Sequence, residues 1–344
     1  MTKQGTARVS SKHALHHGEN PHQTASVAID QTSTDPLAVG CFTNEKGEPL
    51  SATLDRMSWI TLSDLSRGVD ALVRVAAAFE ANTGKVPYIA ILLQHGNACG
   101  AAFGQTEDVL HHAIESNYRG SFASFLVTNV PLTQQVSLCL RQWMPARRPF
   151  SAIAAPKIDP KTAGFFARKG GKCHLFANPA LSGLGVKSMP ASENVTGIRG
   201  ATLSQSPNAF VPTFPAEWDK ALIEDMCLAW GICASSTSNS IAIVNHRKLV
   251  ANAVGQPCRT GACELALHQA DKAGHAAGLK GAAVASDSFF AFADGIDMLA
   301  RKKVKAIFAT HGSMYDREVA EHAKQFETIF HTVPDREGRV FAGH

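Results

Sequence analysis

The sequence of 344 residues predicts a layered α/β protein built from two similar lobes. Segments with helical periodicity alternate with short apolar runs between residues 64 and 156. The same alternation returns between residues 216 and 332, although the sequence shows no visible repeat. The length also favours two lobes over a single hydrophobic core. We expect a flexible arm at residues 1–14, a first lobe at 15–195 and a second lobe at 196–344.

Each element of the first lobe is predicted from its own pattern. Residues 64–82 carry apolar side chains at helical spacing, and Asp64 is a candidate for the cap. Residues 89–93 form an apolar run with β-branched side chains, which favours a buried strand. We expect residues 96–100 to follow that strand as a polar, glycine-rich turn. The other predicted elements are helices at 106–116 and 132–143 and strands at 121–128 and 151–156.

The second lobe repeats this alternation. A less regular stretch rich in glycine, serine and proline covers residues 157–215, so we place the boundary between the lobes within it. The predicted elements that follow are helices at 216–233, 261–273 and 316–324 and strands at 240–244, 281–285, 304–310 and 328–332.

Composition indicates a cytoplasmic protein with a small anionic ligand. The chain is 45% hydrophobic and 18% charged, and its net charge of +4 is spread over the sequence. That balance suits a phosphate ester and is too weak to predict nucleic-acid binding. The eight cysteines form no CxxC pair, which favours reduced thiols over disulfides or zinc. The N-terminus lacks the apolar core of a signal peptide, and no apolar run approaches the length of a membrane span.

Polar residues follow several predicted strands, and in open α/β sheets ligands bind at such strand ends. Gln94 and His95 come directly after the first strand, which makes His95 a candidate for a general acid or base. By this pattern alone, the interpretation that His95 only caps the turn is favoured over a catalytic role. The loop at 286–295 places Phe289 and Phe292 between two aspartates, a pattern that suits a flat heterocycle or a hydrophobic core. In the loop at 255–261, Arg259 and backbone amides are suited to hold an anion, or the arginine is simply solvated.

Six linked segments resemble one family in collinear order. They are LHHGENPHQ, LLQHGNACGAAFG, TSNSIAIV with VGQPCRTGA, SDSFFAFADGIDMLA, HGSMYDREVAEHA and the terminal RVFAGH. Together they resemble the transformylase half of the bifunctional enzyme AICAR transformylase/IMP cyclohydrolase. The family's LRYGENPHQ, IKHxNPCGxA and SDAFFPFRDGVD motifs are the clearest counterparts. The cyclohydrolase half has no counterpart in this sequence, so ring closure to IMP is not expected.

The resemblance implies a cytidine-deaminase-like α/β/α fold occurring twice, without zinc, and a homodimer with sites at its interface. It implies formyl transfer from the co-substrate 10-formyltetrahydrofolate to a phosphorylated aromatic amine, with no metal required. Such a reaction needs a base for the amine proton and donors for the tetrahedral oxyanion. Neither a nucleic acid nor a membrane is expected as a partner. Carried over by position, the catalytic residues are His95, Gln94 and Asn239, the folate-binding residues are Arg259, Thr260, Phe289, Phe292, Asp294, Ser313 and Met314, and the substrate-binding residues are His16, His17, Phe122, Ala123, Ser151 and Arg339.

The departures from the family pattern fall mainly on the acceptor side. Gln94 stands where the family has a catalytic lysine, and the pair His16-His17 replaces an Arg-Tyr pair that contacts substrate. Ala123 replaces a glycine, and Ser151 an acidic substrate contact. Loss of the lysine charge is worth about 3 kcal/mol by analogy with a lost oxyanion donor. We therefore expect a formyltransferase whose acceptor is AICAR or a related amino-heterocycle ribonucleotide.

A second hypothesis is a non-catalytic paralogue that binds folate or a nucleotide, and the substitution at Gln94 is what favours it. A zinc deaminase of the same fold is disfavoured, because the sequence has no HxE and PCxxC pair of ligand motifs. The sequence leaves the identity of the acceptor open.

Overall fold

A ten-stranded mixed sheet forms the centre of the molecule, with helices on both faces. The structure is a computed structural model that describes residues 10–143, 150–166 and 173–343. The predicted α/β fold class is confirmed. No helix in the described ranges is long and apolar enough to cross a membrane.

The elements are numbered in chain order over the described residues. The strands are β1 (Ser10–Ala14), β2 (Ser26–Asp30), β3 (Tyr88–Gln94), β4 (Asn97–Gly104), β5 (Phe125–Thr128), β6 (Ala152–Ala155), β7 (His174–Ala177), β8 (Asn194–Ile198), β9 (Ala201–Gln205), β10 (Ile241–Asn245), β11 (Lys248–Ala253), β12 (Ala283–Ser286), β13 (Ala306–His311) and β14 (Ile329–Pro334). The α-helices are α1 (Trp59–Thr83), α2 (Val109–Ser116), α3 (Gln134–Trp143), α4 (Ala163–Phe166), α5 (Lys220–Ser235), α6 (Arg259–Lys272), α7 (Asp294–Ala300), α8 (Asp316–Gln325) and α9 (Asp335–Gly338).

The sheet consists of two halves with the same topology. The first half has the strand order β4-β3-β5-β6-β7, and the second has β11-β10-β12-β13-β14. Each half begins with a long helix and an antiparallel hairpin, and continues with alternating helices and strands. The halves join where β4 pairs antiparallel with β11. The structure thus repeats although the sequence does not, and the predicted boundary between residues 195 and 196 falls inside β8.

The core lies in layers on either side of this sheet. On one face α1 and α5 pack side by side over both halves, and on the other face α2 and α3 cover the first half while α6 covers the second. Gly231 permits the close approach of the two long helices, because a Cβ there would lie 2.7 Å from the backbone nitrogen of Val75. The two halves therefore share the core layer under α1 and α5, while on the other face each half has a hydrophobic cluster of its own.

Three local predictions are wrong. Residues 10–14, expected in a loose arm, form β1, which pairs antiparallel with β2; residues 1–9 lie outside the described ranges. Asp64 is not a cap, since α1 begins one turn earlier and Ser58 accepts a hydrogen bond from the Thr61 amide. Residues 97–100 are not a turn but the start of β4. Small residues there hid the strand pattern, because glycine and alanine carry little β-propensity.

Candidate functional site

The predicted polar loops all lie at one end of the strands, here named the His95 end. Strands β12 and β13 run antiparallel to β10, so the loops after β12 and β13 lie beside the loop before β10. The next neighbouring pairs in the sheet, β10–β11, β11–β4, β4–β3 and β3–β5, are also antiparallel, so strand direction alternates as far as β5. The turn after β3 and the loops before β5 and β6 therefore lie at the same end.

His95 lies in the tight turn between β3 and β4. Gln94 pairs with Asn97, and His95 and Gly96 have φ values of 52° and 72°. Positive φ at both central residues is the geometry of a type I′ turn, which matches the twist of the flanking strands. The His95 side chain is exposed. A rigid two-residue hairpin thus presents an imidazole to solvent at the strand ends.

Two side chains of α1 form hydrogen bonds with the backbone of this turn. The Gly96 amide donates to Asp64 Oδ1 at 2.7 Å, and Arg67 Nε donates to the Gly96 carbonyl at 2.7 Å. Burial raises the pKa of Asp64, although the Gly96 hydrogen bond and the nearby His95 and Arg67 act in the opposite direction. The turn is therefore fixed through its backbone and not through the imidazole.

The same contacts join the His95 turn to the loop that carries Asn239. Arg67 Nη2 donates to Thr237 Oγ1 at 3.3 Å, and the Thr237 amide donates to Asn97 Oδ1 at 2.9 Å. Asn239 Nδ2 in turn donates to the Gln256 carbonyl at 2.8 Å. Two predicted catalytic residues from different halves of the chain thus lie on neighbouring, hydrogen-bonded loops.

Gln94 is engaged with the loop before β5. Its Nε2 donates to the carbonyls of Gly120 at 3.1 Å and Phe122 at 2.5 Å. The Phe122 ring is 49% exposed, and Ala123 has a φ of 55°, a conformation that favours the glycine of the family motif. Ser151 Oγ donates to the Ser124 carbonyl at 3.2 Å, which brings the start of β6 next to this loop. Gln94, Phe122, Ala123 and Ser151 form what we call the first-half cluster.

His16 and His17 lie beside the first turn of α1. The His16 amide donates to the Met57 carbonyl, and the Trp59 amide donates to the His17 carbonyl. His17 Nδ1 lies 2.7 Å from the Gly18 carbonyl, while His16 is exposed. The pair is thus anchored through its backbone at the helix end that also carries Asp64.

Arg259 is tied to a buried carboxylate. Its Nη1 forms an ion pair with Asp287 and donates to the Ser240 carbonyl at 3.0 Å. The Arg259 side chain is 10% exposed and Asp287 is fully buried, while the Ser240 amide donates to Asp287 Oδ2 at 3.1 Å. Arg259 therefore neutralises Asp287 in the structure, and an anionic ligand would have to compete with that carboxylate.

The remaining predicted residues surround the ends of β12, β13 and β14 and form what we call the second-half cluster. The Arg339 guanidinium lies 5.9 Å from the centre of the Phe289 ring, and the Phe292 and Tyr315 rings lie 5.2 Å apart. Thr260 Oγ1 donates to Asp294 Oδ2 at 2.9 Å. The cluster consists of Thr260, Phe289, Phe292, Asp294, Ser313, Met314 and Arg339.

Asp335 fixes the position of Arg339 in this cluster. It pairs with Arg339 and accepts hydrogen bonds from Thr310 and Ser288. Burial alone would raise the pKa of Asp335, but the hydrogen bonds from Arg339, Thr310 and Ser288 outweigh it, so the pKa lies below its ordinary value. An ionised Asp335 thus fixes Arg339 beside the Phe289 ring.

The two clusters are far apart within one chain. Four strand spacings separate β12 from β3 and seven separate β13 from β6, so members of the two clusters lie about 19 to 34 Å apart along the His95 end. The His95 turn and Asn239 lie between them. A cavity of about 660 Å³ opens beside the turn and is lined by Gln94, Asn97, Cys99, Arg119 and Lys272, among others. It includes no residue of the second-half cluster.

Sequence reasoning assigned no role in arranging the turn and the loop to Asp64, Arg67 or Thr237. The only signal was that Asp64 and Arg67 interrupt an otherwise apolar helix, and it identified no partner. Among the described residues, no group of three or more His, Cys, Asp or Glu side chains is placed to hold a metal ion.

The fold and the site together define an α/β protein with a histidine-bearing turn at its strand ends, the position where such sheets bind small molecules. A sequence model of the AICARFT/IMPCHase bienzyme family matches residues 1–269, and the chain belongs to that family.

Three curated relatives of this chain are all bifunctional purine biosynthesis proteins named PurH. The bifunctional purine biosynthesis protein PurH of Rippkaea orientalis is 28% identical over 326 residues, which is 92% of this chain and 56% of the relative. PurH of Parvibaculum lavamentivorans is 29% identical over 92% of this chain and 56% of its own length. PurH of Thermotoga maritima is 27% identical over 72% of this chain and 51% of its own length. The chain therefore spans little more than half the length of these relatives.

Proposed function

We propose that this chain transfers the formyl group of 10-formyltetrahydrofolate to the amine of AICAR or a related amino-heterocycle ribonucleotide. The observation that carries the proposal is the His95 turn, held by hydrogen bonds against the Asn239 loop in a member of the AICARFT/IMPCHase family. Both residues lie at the strand ends where α/β sheets bind ligands.

In the proposed reaction the acceptor amine attacks the formyl carbon and forms a tetrahedral intermediate. His95 takes a proton from the attacking amine, and the bond between the formyl carbon and N10 of the folate then breaks as N10 gains a proton. Asn239 orients the histidine and the acceptor. Gln94 supplies a neutral amide close to the reacting groups in place of a cation.

The two clusters suit the two substrates. Phe289 and Phe292 offer aromatic faces to a pterin ring, and Asp294 and Thr260 offer hydrogen bonds. Phe122 offers a stacking surface for the acceptor base, while His16 and Arg339 suit its phosphate. Because members of the two clusters lie about 19 to 34 Å apart, we propose a homodimer in which each site combines the first-half cluster of one chain with the second-half cluster of the other.

A non-catalytic, folate-binding paralogue is the second candidate. It is favoured by Gln94, whose amide is uncharged and already occupied by two backbone carbonyls. In that case the second-half cluster binds folate and no transfer follows.

The deciding experiment measures tetrahydrofolate release from 10-formyltetrahydrofolate with AICAR and a panel of amino-heterocycle ribonucleotides, alongside calorimetric folate binding. Release that depends on an acceptor supports the transferase. Folate binding without release for any acceptor supports the paralogue and overturns the proposal.

A further inference from the structure

The internal repeat of the fold provides a comparison for the His95 turn. The sixth residue of α1 is Asp64 and the sixth residue of α5 is Asp225. The Arg247 amide donates to Asp225 Oδ1 at 2.8 Å, just as the Gly96 amide donates to Asp64. His246 and Arg247 also have positive φ values, 50° and 66°. An aspartate that clamps a tight turn is therefore part of the repeated fold.

The arginine is not repeated. The ninth residue of α1 is Arg67, whereas the ninth residue of α5 is Leu228, which is fully buried. The second hairpin thus reaches the same backbone geometry without a guanidinium beneath it. Arg67 is for this reason not required to form such a turn.

Arg67 and Gly96 fit one another closely. A Cβ at Gly96 would lie 2.6 Å from Arg67 Cδ and Nε, so the arginine occupies the space that any larger residue would need. From there its Nη2 reaches Thr237 Oγ1, while Nη1 makes no hydrogen bond within the described residues. The side chain is half-buried and spans the junction between the two halves of the chain.

We infer that Arg67 is a positioning residue that holds the His95 turn against the Asn239 loop. Its two nitrogens bridge the Gly96 carbonyl and Thr237, and this geometry needs the planar fork of an arginine. The expected effect of Arg67 on turnover rests on the proposed function. The expected effect of Arg67 on amide hydrogen exchange in the two loops does not depend on that function.

The kinetic test compares Arg67→Met and Arg67→Lys with Arg74→Lys, a change to a buried arginine two turns along α1 that contacts Asp70 and Asn208. We expect both Arg67 variants to lose about tenfold to a hundredfold in kcat, with the KM for folate within about threefold of wild type. Arg67 reaches the Gly96 carbonyl and Thr237 through two separate nitrogens, and we expect the single nitrogen of lysine not to restore this bridge. Full activity of Arg67→Lys, or an equal loss in Arg74→Lys, overturns the inference.

The second test needs no activity. Amide hydrogen exchange in Arg67→Met is expected to rise together at residues 95–99 and 236–240, with the turn at 246–247 unchanged as the internal control. Unchanged exchange at both segments overturns the inference even if the wild-type protein is an active transferase. If the wild-type protein shows no transfer, the exchange result still decides the role of Arg67.

Discussion

Gln94 is the residue at which this chain differs most sharply from the family motif. Its amide does not point to an empty site but binds the Gly120 and Phe122 carbonyls. A lysine at the same position would place a strongly hydrated positive charge there instead of a neutral amide. Compared with the family motif, this chain therefore lacks a positive charge at position 94 and has a neutral amide that fixes the loop before β5.

Removing the Gln94 amide is expected to weaken acceptor use selectively. In Gln94→Leu the loop that carries Phe122 loses two hydrogen bonds, each worth about 1 kcal/mol. We predict a fall of about thirtyfold in kcat/KM for the acceptor, with little change in the KM for folate. Steady-state kinetics with each substrate varied in turn check this, and Gln134→Leu on the exposed face of α3 is the control. An equal loss for both substrates would contradict the assignment of the first-half cluster to the acceptor.

The candidate residues of the site could be chosen from the sequence because they belong to motifs, whereas their hydrogen-bond partners could not. His95 and Asn239 were identified from their motifs, and their loops are neighbours in the structure. The clamp by Asp64 and Arg67 depends on contacts between α1, the β3–β4 turn and the second half of the chain. No local pattern encodes a contact across 170 positions of sequence.

At the scale of elements, the aspartate that binds the turn at residues 246–247 predicts how the free energy of unfolding depends on pH. Burial raises the pKa of Asp225 to about 6, against the hydrogen bonds from Arg247 and His246. The folded state therefore disfavours the ionised carboxylate, and stability falls as pH rises from about 4 to about 6. An asparagine side chain in place of this carboxyl would remain neutral and keep an acceptor oxygen for the Arg247 amide.

We predict that the free energy of unfolding of Asp225→Asn rises relative to wild type between pH 4 and pH 6. The difference should reach roughly 3 kcal/mol and stay constant above pH 7. Urea unfolding at several pH values measures it, with the exposed Asp271→Asn as control. A difference that does not depend on pH would show that Asp225 is ionised equally easily in both states.

The contact between α1 and α5 is predicted to tolerate no side chain at Gly231. A Cβ there would meet the Val75 backbone at 2.7 Å, so Gly231→Ala must push the helices apart and should lose about 1–3 kcal/mol. Gly164→Ala in α4 is the matched control, because a Cβ there meets no atom within 4 Å. Thermal unfolding of both variants checks the prediction. Equal stability of the two would mean that the helices do not pack this closely.

Elements were predicted where their patterns were strong, and missed where residues were small. The buried strands β3, β10, β12 and β13 and helices α5, α6 and α8 all overlap their predicted ranges. The second strands of the two hairpins, β4 and β11, were not predicted because small and polar residues dominate them. Pairing within the hairpin stabilises these strands rather than intrinsic β-propensity. The alternation of elements predicted two similar lobes, and the topology shows which strands correspond, which residue identity did not reveal.

At the scale of the whole molecule, one sheet and the core layer under α1 and α5 unite the two halves, yet the candidate site is spread along the His95 end. Members of the two clusters lie four to seven strand spacings apart, about 19 to 34 Å, so one bound nucleotide could not contact the whole of both clusters within one chain. The proposed homodimer resolves this, because a second chain brings its second-half cluster to the first-half cluster of its partner.

The shared site predicts complementation between inactive variants. Sedimentation should give a mass twice 36.6 kDa. His95→Ala and Phe289→Ala should each be inactive as homodimers, and a subunit-exchanged mixture should recover part of the wild-type turnover, since hybrid dimers contain one intact site. Activity of a monomer, or a mixture without recovery, would place the whole site in one chain.

The most direct test of the proposed mechanism is the rate of acceptor-dependent tetrahydrofolate release by His95→Ala, measured with folate affinity in the same preparation. Because His95 is exposed and its turn is held through the backbone, the substitution should leave the fold and folate binding intact. We predict a loss of at least about a hundredfold in turnover with folate affinity unchanged. Turnover equal to that of the wild-type protein would contradict the role of His95 as the base and with it the proposed mechanism.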